Sequence, residues 1–107
     1  PLEFPMSPEA VPVKPAVLIV IISESVMQDR LIKLLKAHNV SGYTITQARG
    51  EGGHGRRMGD IAGYNTNIEI QTLVSPEVSD AIFIALKENQ NGHALIAYRH
   101  NVEALYD

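Results

Sequence analysis

The chain has 107 residues, of which 45% are hydrophobic and 20% charged, and it carries a net charge of −3. This length and composition are typical of one folded globular domain, and the acidic balance argues against a nucleic-acid-binding protein, which needs a broad basic surface. Because the chain has no cysteine, disulfides, thiolate metal sites and a cysteine nucleophile are excluded, and we expect a protein of the reducing cytoplasm.

The first part of the chain is rich in proline, since residues 1–15 hold all but one of the six prolines. This pattern predicts a flexible N-terminal arm, in which residues 1–5, before Met6, are expected to be a remnant of an expression vector. The domain itself is expected to span residues 16–107. It opens with an apolar run over residues 16–22, which predicts a buried central strand and is far too short to span a membrane.

A helix is predicted next. Ser25 and Gln28 have the spacing of a capping box, and apolar side chains recur from Met27 onward at intervals of three and four residues. The helix is expected to end near Asn39. Residues 42–49 then alternate between polar and apolar side chains, which predicts a second strand.

The second half of the chain repeats this alternation of strand and helix. Residues 50–63 hold most of the chain's eight glycines and are expected to form a long loop. Residues 67–74 alternate as a strand does, and Ser75 followed by Pro76 is a strong helix start. Residues 89–92 are expected to turn the chain into a fourth strand over residues 94–98, with a short edge strand over residues 101–106.

The predicted order of elements is β-α-β-loop-β-α-β. This is the order of the α+β, ferredoxin-like βαββαβ sandwich, in which both helices cover one face of a single sheet. The same fold carries many unrelated functions, so function has to be argued from the site.

The glycine-rich loop is the segment most suggestive of chemistry. Glycines allow backbone amides to converge on an anion, and the guanidinium groups of Arg49, Arg56 and Arg57 match the geometry of phosphate. The loop is therefore a candidate phosphate clamp. A solvated loop whose glycines only provide flexibility explains the same residues equally well.

Other chemistry has weaker support in the sequence. The histidines His38, His54, His93 and His100 show no metal-binding spacing, although His93 follows a predicted turn and could contact a ligand held by the glycine-rich loop. No serine or threonine has an evident base partner. We therefore interpret the chain as a binding protein and not an enzyme.

A family resemblance strengthens this interpretation. Residues 42–52, Gly-Tyr-Thr-Ile-Thr-Gln-Ala-Arg-Gly-Glu-Gly, resemble the second strand of the PII signalling proteins, G-x-T-V-T-x-x-K/R-G-x-G. Residues 67–77 are similar to that family's strand followed by a proline-started helix, and the resemblance extends over about residues 16–106. It implies a trimer with nucleotide bound in the clefts between subunits, under a long T-loop between strands 2 and 3 (about residues 49–64) and a B-loop (residues 89–93).

Carried onto this sequence, the resemblance implies a set of nucleotide-binding residues. They are drawn from the second and third strands, the T-loop and the B-loop, namely Thr44, Thr46, Arg49, Gly50, Gly52, Gly55, Arg56, Arg57, Ile68, Glu69, Gly92 and His93.

The sequence departs from the ordinary nitrogen sensors of this family. The phosphate motif T-G-x-x-G-D-G-K of their B-loop is absent, and Ala104 and Tyr106 stand where they have arginines. The ending Asn-Val-Glu-Ala-Leu-Tyr instead resembles the PII-like regulators of cyanobacterial bicarbonate transport. With the carboxysome-associated PII-like proteins, these imply a role in inorganic-carbon uptake and no bound cofactor. The ligands implied are ADP or AMP, with ATP and cyclic AMP also considered, and bicarbonate, and the T-loop could dock onto a bicarbonate transporter.

Two alternatives remain open at this point. A metal-binding trimer similar to the divalent-cation tolerance proteins would use His54 or His93 as a ligand and would ignore nucleotides. A nucleotide hydrolase would need a positioned base, for which Glu51 and Asp60 in the loop are weak candidates.

Overall fold

The computed structural model describes residues 11–50, 67–90 and 92–106. These residues form four strands and two α-helices, with a short 3₁₀ turn over Ser25–Met27 before the first helix. In chain order the elements are β1 (Lys14–Glu24), α1 (Gln28–Ala37), β2 (Thr44–Ala48), β3 (Asn67–Val74), α2 (Pro76–Glu88) and β4 (Leu95–Ala104). The βαββαβ order and the α+β class are confirmed.

The four strands form one sheet in the order β2-β3-β1-β4, and every neighbouring pair is antiparallel. The apolar run predicted to be a central strand lies in β1, between β3 and β4. β1 is longer than that run, because it begins at Lys14, two residues before the predicted start of the domain. The strands β2 and β4 are the two edges of the sheet.

The core lies between one face of the sheet and the two helices. Alternate residues of β1 point to this side, and Ile19 and Ile21 are completely buried there, as are Leu35 of α1 and Ile82 of α2. Burial of each such side chain contributes on the order of 1.5–3 kcal/mol, so these contacts hold the helices against the sheet.

The opposite face of the sheet, here called the open face, is covered by neither of the two described helices. The register places Gln71, Val20 and Tyr98 in one row across this face. Large apolar side chains remain exposed on it, including Leu73 at 38%, Ile96 at 56% and Tyr98 at 44%. The described part of a single chain therefore leaves a sheet face with apolar character uncovered.

The two helices begin differently. As predicted, Ser75 caps α2, because its hydroxyl accepts a hydrogen bond of 3.3 Å from the amide of Val78 and Pro76 follows it. The capping box predicted at Ser25 is wrong: no side chain caps the start of the 3₁₀ turn or of α1. The amide of Gln28, which the serine hydroxyl was expected to cap, already bonds the backbone carbonyl of Ser25. The helix ends at Ala37, close to the predicted stop at Asn39, which has a positive φ of 65°.

The fourth strand also differs from the prediction. The two short strands expected over residues 94–98 and 101–106 are one strand, β4, because the long β1 pairs with it continuously from Ser23 opposite Leu95 to Lys14 opposite Ala104. The polar residues that suggested a break lie in the middle of an edge strand, where they reach solvent or a neighbouring helix.

Candidate functional site

At one end of the sheet lie the strand ends that flank the two loops predicted to bind a ligand. The register pairs Ala48 at the end of β2 with Asn67, Asn67 with Glu24 at the end of β1, and Ser23 with Leu95 at the start of β4. The segment after β2 and the turn before β4 therefore lie at the same end of the sheet, here called the site end. Because neighbouring strands are about 4.8 Å apart, the two edge strands are separated there by roughly 14 Å.

The β2 side of the site end is exposed. Arg49 and Gly50 directly follow the strand, and both are open to solvent. Thr46 and Thr44 are exposed on the open face, where Thr46 lies opposite Glu69 of β3. The carboxylate of Glu69 accepts a hydrogen bond of 2.7 Å from the side-chain amide of Gln71. This edge therefore offers hydroxyl groups, a cation and open backbone to a ligand.

Ile68 is the predicted site residue whose side chain the structure directs elsewhere. It is only 4% exposed and packs in the core, so a contact with a ligand would have to come from its backbone.

On the β4 side, the site end is formed by a turn that contacts the buried carboxylate of Glu24. Gly92 has a positive φ of 76°, and the amide of His93 bonds the carbonyl of Gln90 at 3.0 Å. Nδ1 of His93 lies 3.3 Å from Oε1 of Glu24, and the amide of Ala94 donates to the same oxygen at 3.4 Å. Sequence reasoning missed Glu24, although an acid closing a long apolar strand was a signal that could have been followed.

Four further predicted site residues belong to the segment that follows Gly50. Gly52, Gly55, Arg56 and Arg57 lie outside the described residues, as does most of the predicted T-loop. So do the loop residues of the two alternatives, namely His54, Glu51 and Asp60.

A groove of about 670 Å³ opens beside Thr44, at the other end of β2. It is lined by the turn between α1 and β2, by the end of β3 and by Tyr106, and none of its lining residues is charged. The hydroxyl of Thr72 donates a hydrogen bond of 2.6 Å to the carbonyl of Gly42, which fixes that turn against the sheet. An uncharged groove of this kind suits a neutral ring better than a phosphate. Sequence reasoning found only Thr44 among its residues.

Two further properties concern the described residues as a whole. No helix among them is both long and apolar enough to cross a membrane. Residues 11–50, 67–90 and 92–106 also contain no group of three or more histidine, aspartate or glutamate side chains arranged to hold a metal ion.

The sequence matches a known protein family. The family model described as nitrogen regulatory protein P-II matches residues 16–104. Comparison with curated protein sequences finds no significant match.

Solved structures give the same result. A protein of Thermus thermophilus (TTHA0516), assigned to the PII-like signalling proteins, is 36% identical over 89% of this chain and 94% of its own, with a TM-score of 0.74. CPII of Thiomonas intermedia, a nitrogen regulatory PII-like protein, is 23% identical over 88% of this chain. In one structure, bound to ADP, AMP and bicarbonate, 92% of CPII is covered with a TM-score of 0.77. Its structure without ligand has a TM-score of 0.70 at 20% identity, over 86% of this chain and 94% of CPII.

Proposed function

Because the chain belongs to the nitrogen regulatory protein P-II family, we propose that it is a non-enzymatic, cytoplasmic regulator that binds adenine nucleotides and signals through the loop between β2 and β3. The observation that carries the proposal is that the end of β2, the start of β3 and the turn before β4 lie at one end of the sheet. CPII, which has the same fold, binds ADP, AMP and bicarbonate, and this supports the same ligands here.

In the proposed site, the phosphates, the sugar and the base of the nucleotide each contact residues of matching chemistry. The phosphates would be held by Arg49, Arg56 and Arg57 and by backbone amides at Gly50, Gly52 and Gly55, because guanidinium groups and bare amides both match anionic oxygens. Thr44, Thr46 and Glu69 would contact the sugar. The uncharged groove beside Thr44 would take the adenine ring, and the backbone of Ile68 and the turn of Gly92 and His93 would complete the site.

A homotrimer would bring these parts into closed clefts. The open face of the sheet exposes Leu73, Ile96 and Tyr98, and second copies of the chain would cover them. The nucleotide would then lie between two subunits, with the described groove as one wall of the cleft.

Signalling would follow from ordering of the β2–β3 loop. Two arginine contacts to phosphate contribute about 1.5–3 kcal/mol each, enough to offset the ordering of part of a loop. Bicarbonate would share the same positive pocket and so couple carbon supply to nucleotide state. The ordered loop would dock onto a bicarbonate transporter, which places the protein in inorganic-carbon uptake.

The test is to measure the thermal unfolding of the chain with ADP, AMP, ATP, cyclic AMP, bicarbonate or Zn²⁺ added separately. A nucleotide at a hundred times its dissociation constant should stabilise the fold by about 2.7 kcal/mol. Arg57→Ala should remove most of that effect, whereas the control Arg30→Ala on α1 should keep it. Stabilisation by Zn²⁺ with no response to any nucleotide would contradict the proposal and favour a metal-binding trimer.

A further inference from the structure

A second groove opens on the helix side of the sheet, where α1 and α2 contact each other. It has a volume of about 500 Å³ and is lined by α1 with its flanking residues, by the end of α2 and by Leu95 at the start of β4. Of the described residues, none lines both this surface, here called the helix groove, and the groove beside Thr44. The helix groove is therefore a separate candidate for binding.

The floor of the helix groove is apolar and recessed. Leu31 and Leu86 are buried at its base, and Leu34 and Leu95 are half-buried beside them. Ala85 also lines the floor, and its small side chain lets another chain approach closely. The ten residues of α1 give the groove a length of about 15 Å, or about three turns of a second helix. This shape and length suit the apolar stripe of an amphipathic helix.

The rim of the helix groove is positively charged. Arg30 and Lys33 lie one turn apart on α1, and both side chains are exposed. In the part of the chain that the structure describes, no aspartate or glutamate lies within 4.0 Å of either cation. The acids of the two helices are absent from the lining of the groove, namely Asp29, Glu77, Asp80 and Glu88. On a chain whose net charge is −3, this rim is a local surface complementary to carboxylates.

Two polar side chains that line the helix groove are fixed by their own helices. Nδ1 of His38 donates a hydrogen bond of 2.9 Å to the carbonyl of Leu34, and the side-chain amide of Asn89 donates one of 2.8 Å to the carbonyl of Ala85. These bonds satisfy carbonyl groups in the last turns of α1 and α2. The walls of the groove are therefore set before a partner arrives, and little ordering is needed on binding.

We propose that the helix groove is a docking site for an acidic amphipathic helix of a partner protein. Leucine-like side chains of the partner fill the floor, and carboxylates along one flank of its helix pair with Arg30 and Lys33. A flat membrane surface reaches the exposed cations but not the recessed floor, and a helix satisfies both. The site goes beyond nucleotide binding and does not depend on it. It also lies on the other side of the sheet from the open face, so the proposed trimer leaves it accessible.

The test uses a labelled synthetic peptide of about 14 residues, with leucines at i, i+3 and i+7, glutamates along one flank and alanines elsewhere. Fluorescence anisotropy with the whole chain measures its affinity at about 0.15 M salt, where distant charges are screened. Arg30→Glu combined with Lys33→Glu should weaken binding about tenfold. The control, Lys36→Glu combined with Lys87→Glu, makes the same charge change on exposed side chains outside the lining and should weaken binding by less than about threefold.

The floor has its own matched pair of variants. Ala37 is exposed and lines the helix groove, so Ala37→Trp should obstruct it and weaken peptide binding about tenfold. Lys36→Trp introduces the same ring at the neighbouring exposed residue outside the lining and should leave the affinity almost unchanged. Thermal unfolding shows that each variant is folded. A peptide with glutamine in place of every glutamate should bind the unmodified chain about tenfold more weakly than the acidic peptide.

Four results would overturn the inference. They are equal losses in the two charge-reversed double variants, equal affinity for the glutamine peptide, and no binding of the acidic peptide at about 1 mM. The fourth is binding to vesicles of phosphatidylcholine and phosphatidylserine that is tighter than peptide binding and is lost in Arg30→Glu combined with Lys33→Glu, which would make the rim a membrane contact. None of these results bears on stabilisation by nucleotides, so the proposed function stands or fails separately.

Discussion

The guanidinium of Arg99 on β4 donates a hydrogen bond of 2.8 Å to the hydroxyl of Ser79 on α2, a side chain that solvent does not reach. The same nitrogen lies 2.7 Å from Oδ1 of Asp80, and the guanidinium lies 5.0 Å from the centre of the Phe83 ring. One arginine therefore ties the edge strand to the second helix. The ion pair itself is exposed, so we expect the buried hydroxyl and the ring to carry most of the contribution.

This relationship predicts an asymmetry between its two partners. Arg99→Met leaves the buried hydroxyl of Ser79 without this donor and should lower the free energy of unfolding by about 1–3 kcal/mol. Ser79→Ala should cost less, about 1 kcal/mol or below, because Arg99 is half-exposed and keeps Asp80 and water. Urea unfolding of both variants measures the difference. Equal costs would contradict the asymmetry.

The core prediction uses two isoleucines of the same helix. Ile82 of α2 is fully buried, so Ile82→Ala should lower the free energy of unfolding by about 2–5 kcal/mol through lost burial and the cavity it leaves. Ile84 is 62% exposed, and Ile84→Ala should change stability by no more than about 0.5 kcal/mol. Thermal unfolding followed by circular dichroism compares them, and a large loss at Ile84 would show that this position is covered in solution.

The helix starts give a matched pair of serines. Ser75→Ala removes the hydroxyl that caps α2 and should cost about 1 kcal/mol. Ser25→Ala should cost much less, because no side chain caps the start of α1. Chemical unfolding decides between them. If Ser25→Ala proved the more damaging change, the capping box would have to be reinstated.

The left-handed backbone at Gly92, in the turn before β4, can be tested with Gly42, between α1 and β2, as the control. A side chain at Gly92 meets no atom within 4 Å, so Gly92→Ala should be penalised only by its positive φ of 76°, by about 1–2 kcal/mol. Gly42 is equally open but is not in the left-handed region, and Gly42→Ala should be close to neutral. Unfolding measurements on the two variants provide the comparison, and equal costs would argue against a strained turn.

The open face predicts how the chain associates. A charge at Ile96, as in Ile96→Asp, should turn the proposed trimer into a monomer, because a carboxylate buried without a partner is costly. Ile84→Asp places the same charge on the helix side of the molecule and should leave the trimer intact. Light scattering coupled to gel filtration reports both masses. A trimer that survives Ile96→Asp would place the interface elsewhere.

Much of the fold could be predicted from periodicity alone. β3 runs over the predicted residues, and the proline after Ser75 marked the start of α2. The break predicted within β4 failed for a tertiary reason. Arg99 and His100 look like a loop in sequence, but a long β1 supplies partners for the whole strand and a helix supplies Ser79 for the arginine.

The candidate site was harder to predict, because its parts depend on register. Sequence motifs led to Thr44, Thr46 and His93, but they could not show that the turn of His93 rests on a carboxylate from β1. The uncharged groove beside Thr44 was missed for the same reason. Its walls come from segments far apart in the chain, and Gln71 or Tyr106 carries no local signal of a binding role.

The position of β1 also bears on how the chain folds as it is synthesised. The inner strand β1 leaves the ribosome before either of its partners, β3 and β4, has been made. Its seven apolar residues must therefore wait for strands that close long loops, and such non-local pairing is slow. The nascent chain thus carries an unpaired hydrophobic strand until β3 and β4 emerge, and a chaperone that shields this strand would act during that interval.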